Sequence, residues 1–211
     1  MHKMRFRYSK TGRAGYISHL DLMSVMQRSF RRAGVRLKYS EGFNPHPYMS
    51  VALPLSVGCE SVCELIDVAV IDEDMPVLKT LKFPEGISII EAYKPERKFN
   101  DITWIEIVGN LHYNKQITDD LIEGLRSCLN RDSIIISKRT KRGQKDLDIA
   151  PFIKDAEFRT GEYVSLKAKI SAQNPTINFD DILKAFDDEL KPDHADIRRI
   201  EIYDKNMIVF R

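Results

Sequence analysis

Long apolar runs are missing from this sequence. No stretch approaches the ~18 consecutive apolar residues of a membrane-spanning helix, so no membrane association is expected. The first residues, Met1-His2-Lys3-Met4-Arg5, lead into an alternating pattern instead of an apolar signal-peptide core, which points to a cytoplasmic protein. Cysteine is scarce: Cys59, Cys63 and Cys128 lack disulfide-framework spacing and fit reduced thiols. Cys59 and Cys63 begin a cluster-binding spacing, but Ile66 stands where a third cysteine would fall, so the chain cannot hold an iron-sulfur cluster by itself. No Gly-Lys-Ser/Thr ending follows the early glycines, which excludes a nucleotide-hydrolysing P-loop. His2, His112 and His194 are scattered, no His-x-x-x-His pair occurs, and no nucleophile triad can be argued from spacing; no metal or cofactor is expected.

What is present is an ordinary globular composition with an uneven charge distribution. Of the 211 residues 43% are hydrophobic and 30% charged, enough to build a core in one or two domains. Residues 1–50 carry ten Lys and Arg against only Asp21 and Glu41, a balance of +8 in a chain of net charge +2. A concentrated cationic region is the usual footprint of a polyanion site, although a solvated basic surface facing the acidic segment that follows would give the same count.

The most unusual stretch is Tyr39-Ser40-Glu41-Gly42-Phe43-Asn44-Pro45-His46-Pro47. Two prolines bias Asn44 and His46 toward extended geometry, and Gly42 permits a sharp bend. A rigid loop presenting Tyr39, Glu41, Asn44 and His46 is expected. The bland alternative is an ordered connection in which Phe43 plugs the core and His46 braces the backbone.

The element pattern predicts an α+β fold. Met4 to Tyr8 alternates apolar and basic residues, a strand with one buried and one cationic face. A basic glycine-bearing loop then precedes a helix capped by Ser18, with Leu22, Met23, Met26, Phe30 and Ala33 on its apolar stripe and Gly34 at its end. Lys10 and Arg13 beside this helix start suggest a weak anion cradle. Strands over 49–55 and 63–71, a short helix from Met75 to Leu81 and a strand over 87–93 complete a β-α-β-β-α-β order.

After a polar turn at 94–100 the same order recurs. It runs through a strand at 102–108, a helix capped by Thr118, strands at 134–136 and 163–168, a helix capped by Asn178 reaching Leu190, and a terminal hairpin of 197–203 with 207–210. Two ferredoxin-like split-βαβ halves with antiparallel sheets, residues 1–95 and 101–211, are therefore expected. Between them in character is Ser137 to Lys145, with five cations in the eight residues from Lys138: Lys138, Arg139, Lys141, Arg142 and Lys145. It reads as an exposed tip or as a second phosphate-contacting element, with Asp146 and Asp148 placed to orient the cations.

Gly15-Tyr16-Ile17-Ser18-His19-Leu20-Asp21-Leu22, Arg32-Ala33-Gly34, the Tyr39–Pro47 loop, Leu53-Pro54-Leu55 and Gly58 together resemble the radical-SAM-linked domain of unknown function. Lys141, Gly143, Lys145 and Asp148 resemble that family's later motif. The resemblance implies a domain that stands alone or is joined to radical-SAM proteins, without an assigned reaction. Together these readings lead to an expectation of an RNA-binding or substrate-presenting accessory module acting on tRNA or rRNA. In it Lys10, Arg13, Arg28, Arg31, Arg32 and the 138–145 cations would contact phosphates, and Tyr39, Phe43, Asn44 and His46 would hold a base. Two alternatives stay open: a metal-independent RNA-processing enzyme using His19 or His46 as general base, and a protein-interaction subunit of a radical-SAM enzyme.

Overall fold

β1 (His2–Lys10) is the spine of the first half of the chain, pairing antiparallel with β3 (Glu60–Val70) on one edge and β4 (Ile87–Tyr93) on the other. The computed structural model describes residues 2–71, 81–140 and 143–211. Within these the fold is mixed α+β, with mostly antiparallel sheet and few helices. The chain divides into two units, Met1–Asp101 with Arg211, and Ile102–Phe210.

In the first unit, β2 (Met49–Val51) pairs antiparallel with Ile66–Val68 of β3, on the edge away from β1, so the strands run β4-β1-β3-β2. α1 (His19–Arg32) starts where Ser18 Oγ accepts the Asp21 N–H at 3.1 Å, and ends at Ala33 with Gly34 in the left-handed region at φ +80°. Its Leu22, Met26 and Phe30 pack on Phe6, Tyr8, Ile66, Val68 and Val70. The expected 49–55 strand is three residues long because the chain bends at Ala52 and Leu53. The expected helix from Met75 lies outside the described residues except for Leu81, which has no regular structure.

The cationic face of β1 is the first correction. Arg5, Arg7 and Lys10 are buried, at 1%, 9% and 1% exposure. Edge pairing alone leaves one face of an antiparallel strand open to water, and here the 94–101 segment closes over that face: Arg5 donates to Arg97 O at 2.9 Å and lies 4.3 Å over the Phe99 ring.

In the second unit, β5 (Ile102–His112), β8 (Ile153–Arg159), β9 (Val164–Ser171) and β10 (His194–Asp204) form an antiparallel sheet ordered β10-β5-β9-β8. Taking the strands of each sheet in chain order, both units read fourth-first-third-second. α2 (Asp119–Leu129) is capped by Thr118 and buries Leu121, Ile122, Leu125, Cys128 and Leu129. α3 is shorter than its apolar stripe suggested, Phe179–Leu183, with a full capping box between Asn178 and Asp181. The expected strand at 134–136 belongs to a separate two-stranded sheet, in which β6 (Ile135–Thr140) pairs antiparallel with β7 (Gly143–Asp148), and β8, unread in the sequence, takes the place beside β9. The C-terminal return is an isolated bridge, Tyr203 to Val209, flanked by backbone bonds.

Candidate nucleic-acid interface

The 39–47 segment closes on itself. Tyr39 and Pro47 form an antiparallel bridge, and the flanking Lys38, Tyr48 and Ala69 exchange backbone bonds of 2.8–2.9 Å that moor the loop to the end of β3. Inside it, Ser40 N–H donates to the His46 carbonyl at 2.9 Å, and His46 N–H donates to Ser40 Oγ at 3.0 Å. Ser40 Oγ also lies 3.0 Å from His46 Nδ1. Gly42 takes φ +111°, which side-chain-bearing residues rarely adopt. The loop is thus held by its own polar groups, with Tyr39 packed against the core and Phe43 left out. Phe43 is fully exposed, so the reading that it plugs the core is overturned. Glu41, Asn44 and His46 are exposed as well. Bracing does account for His46 Nδ1; among the described residues Nε2 has no hydrogen-bond partner.

Beside the loop is an open groove of about 550 Å³ lined by Arg31, Gly34, Val35, Arg36, Leu37, Tyr39 and Ile71. Tyr39 belongs to both features, and Gln27 Nε2 of α1 reaches its hydroxyl at 3.5 Å. Arg28, Arg31, Arg32, Arg36 and Lys38 are all exposed along this part of the chain. Arg36 and Lys38 were not among the expected contacts, although their place between Gly34 and Tyr39 is the signal that would have included them.

The anion cradle at the start of α1 is not built. Lys10 Nζ donates to the carbonyls of Gly15 and Ile17 at 3.2 and 3.1 Å, tying down the 12–16 turn from beneath. Burial pushes this ammonium below the ordinary lysine range, against the opposing fields of Glu64 and Cys59. The Gly12 N–H is already taken by the Glu60 carboxylate at 2.7 Å. Arg13 is exposed. His19, exposed at the first position of α1, makes no hydrogen bond or ring contact with His46 among the described residues.

The basic segment of the second unit is the arms of the β6–β7 hairpin. Lys138 is not free for phosphate: its Nζ donates to Thr176 O at 2.7 Å and to the buried Asp181 carboxylate. Arg139 and Lys145 are exposed, while Lys141 and Arg142 lie outside the described residues. Asp148 does not steer cations either. Its Oδ1 accepts the Ile134 and Ala150 N–H groups at 2.9 and 3.0 Å, closing the hairpin base and holding its carboxyl below the usual range. His112 and His194, scattered in sequence, meet across the β5–β10 ladder.

Residues 3–180 match the model of a family described as an uncharacterized protein conserved in bacteria (DUF2344). The chain belongs to this family. The DUF2344 match takes in α1, the 39–47 loop and the basic hairpin, and stops before β10. No curated protein matches the chain. A crystal structure of an unknown protein from Galdieria sulphuraria aligns over 94% of this chain and 98% of its own, at 8% identity and a TM-score of 0.28, a level that says nothing about fold. Among the described residues no helix is long and apolar enough to cross a membrane.

Proposed function

We propose that this DUF2344 chain is a cytoplasmic RNA-binding or substrate-presenting module that serves a radical-SAM enzyme modifying tRNA or rRNA. The observation that carries the RNA reading is the sharing of Tyr39 between a groove with two arginines and a self-braced loop offering Phe43, Asn44 and His46 to solvent. Phosphates would follow Arg28, Arg31, Arg32 and Arg36. An unpaired base would stack on Phe43 or Tyr39, with the amide of Asn44 and Nε2 of His46 meeting its edge. Arg139 and Lys145 are the described cations of the hairpin available as a second contact. The radical-SAM partner rests on the sequence resemblance alone. A fold reading goes with it: each unit is a ferredoxin-like half, a reading supported by the repeated fourth-first-third-second strand order and by α1 and α2 following the first strand of each sheet.

The test is binding of labelled tRNA and of unstructured RNA across a salt series. Each lost phosphate contact lowers the slope of log affinity against log salt by about 0.7 to 0.9, so replacing Arg28, Arg31, Arg32 and Arg36 by Gln should flatten it by about 3. An unchanged slope, or no retention of RNA at low salt, removes the proposal.

One observation favours a second reading. With Nδ1 fixed by Ser40 and Nε2 outward, His46 is oriented as a general base is. Cleavage of labelled RNA in the presence of chelator, lost in His46→Ala with binding kept, would establish it; intact RNA throughout retires it.

A further inference from the structure

The groove beside the 39–47 loop combines a fixed apolar floor with charge of one sign. The segment after α1 is tied to the end of β3: Leu37 bridges Val70, Lys38 N–H donates to Ala69 O at 2.9 Å, and Ile71 N–H donates to Arg36 O at 2.9 Å. Side chains alternate along an extended segment, so Val35 and Leu37 turn into the core cluster while Arg36 and Lys38 turn out. What Val35 and Leu37 leave to the groove is apolar, Ile71 at 53% exposure extends it, and Tyr39 adds an aromatic ring. Among the described residues, Arg31 and Arg36 are the only charged groups in the lining, and no carboxylate answers them there.

The end of α1 does not oppose an anion at this place. The carbonyls of Ser29, Phe30 and Arg31 accept the Ala33, Val35 and Gly34 N–H groups at 3.0 to 3.1 Å, so the negative pole of the helix is capped, and Arg31 and Arg32 offset the rest of its field. The volume of about 550 Å³ falls within the range of about 300 to 1,000 Å³ typical of small-molecule sites. A ligand that matches this lining has a flat face for the floor and the Tyr39 ring, and an anionic group for the two guanidinium groups.

We infer that the groove seats one unpaired nucleotide of the bound RNA, its base against Val35, Leu37, Tyr39 and Ile71 and its phosphate at Arg31 and Arg36. The inference rests on the RNA reading and narrows its substrate to RNA with an unpaired stretch, because a paired base must first leave its stack to enter a groove. Guanidinium groups meet phosphate oxygens in two-pronged bonds, and every base has a face that stacks on an aromatic ring. The groove therefore selects for an unpaired nucleotide and not for a sequence.

The experiment titrates the isotope-labelled full chain and follows its backbone amide NMR shifts, with AMP as the probe and adenosine and inorganic phosphate as its two halves. AMP should shift the amides of Gly34, Val35, Leu37, Tyr39 and Ile71 saturably, and each half should bind about tenfold more weakly or worse. Arg31→Gln and Arg36→Gln should each weaken AMP binding about three- to tenfold and leave adenosine unchanged. Ile71→Glu, at an exposed position, should abolish AMP binding while the protein melts with wild type. In competition, single-stranded RNA should displace a blunt duplex of the same length, and AMP should displace the single strand. RNA retained with its steep salt dependence while millimolar AMP leaves the groove amides unmoved, or duplex held as tightly as single strand, overturns the nucleotide seat and spares the RNA reading. Inorganic phosphate bound as tightly as AMP reduces the groove to an anion site and also overturns the seat. AMP bound with no retention of RNA removes the RNA reading and, with it, a seat for an RNA nucleotide.

Discussion

Ser40→Ala tests whether the exposed loop owes its shape to its own polar groups. The substitution deletes one hydroxyl and with it two contacts, the His46 N–H donation at 3.0 Å and the approach to His46 Nδ1 at 3.0 Å. It spares the Ser40 N–H bond to the His46 carbonyl at 2.9 Å and the Tyr39–Pro47 bridge. Each deleted hydrogen bond contributes about 0.5 to 1.5 kcal/mol net, and exposure places both in the lower half of that range. The loop should therefore lose about 1 to 2 kcal/mol of local closure, which raises the open population about 5- to 30-fold.

Amide exchange at Ser40 and His46 reads that population directly, and both should exchange faster by this factor. The melting temperature should stay near that of wild type, because of the 39–47 loop only Tyr39 packs against the core cluster. RNA affinity should fall by no more than the same factor, since the variant must only reorder the loop before binding. Unchanged exchange at His46 would refute the bracing argument.

Other perturbations follow from the same contacts. Lys138→Ala leaves the buried Asp181 carboxylate with its capping-box bonds and Lys184 alone, a loss of about 1 to 3 kcal/mol; it should lower the melting temperature by several degrees, and an unshifted melt would show that this pair does not anchor the hairpin. RNA binding by the folded Lys138→Ala protein should match wild type, whereas Arg139→Ala should weaken it. Asp148, whose carboxyl is held low by the Ile134 and Ala150 N–H groups and by Ser133, adds stability that is complete above the unfolded value of about 3.9 and lost as pH falls through the lower folded value. Asp148→Asn should therefore show a shallower loss of melting temperature on acidification, and an identical acid slope would count against that role.

Much of the element pattern was legible because it depends on local chemistry. Ser18, Thr118 and Asn178 each cap the helix they precede, Gly34 ends α1, and the stripe of Leu22, Met26 and Phe30 is core. The loop at 39–47 was legible for the same reason: proline and glycine act on their own backbone. What was not legible depended on distant partners. β8 reads weakly because exposed Lys154, Asp155 and Glu157 alternate poorly and its pairing skips register between Lys154 and Glu157. The β6–β7 hairpin looked like a basic tip because nothing near Lys138 in sequence announces that its partner is Asp181. His112 and His194 are 82 positions apart, and only the strand register joins them.

The early cations separate into two populations, and the separation sharpens the candidate interface. Arg5 is held by Asp67 through Nε at 2.7 Å and a second nitrogen at 3.1 Å, a two-pronged pair that period-2 alternation cannot distinguish from a solvated face. With Arg5, Arg7 and Lys10 buried, the electrostatic potential that RNA would meet arises from the exposed remainder, of which Arg28, Arg31, Arg32, Arg36 and Lys38 fall within eleven residues. Helix physics explains two of these five: Arg31 and Arg32 sit in the last turn of α1, where cations answer the negative end of the dipole for about 0.3 to 1 kcal/mol each. Arg36 and Lys38 lie beyond the helix, and Arg28 a turn before its end, so the dipole leaves them unexplained. A polyanion following the groove toward Tyr39 would account for all five at once. The Arg-to-Gln quartet should for that reason lose more RNA affinity through Arg28 and Arg36 than it loses helix stability through Arg31 and Arg32.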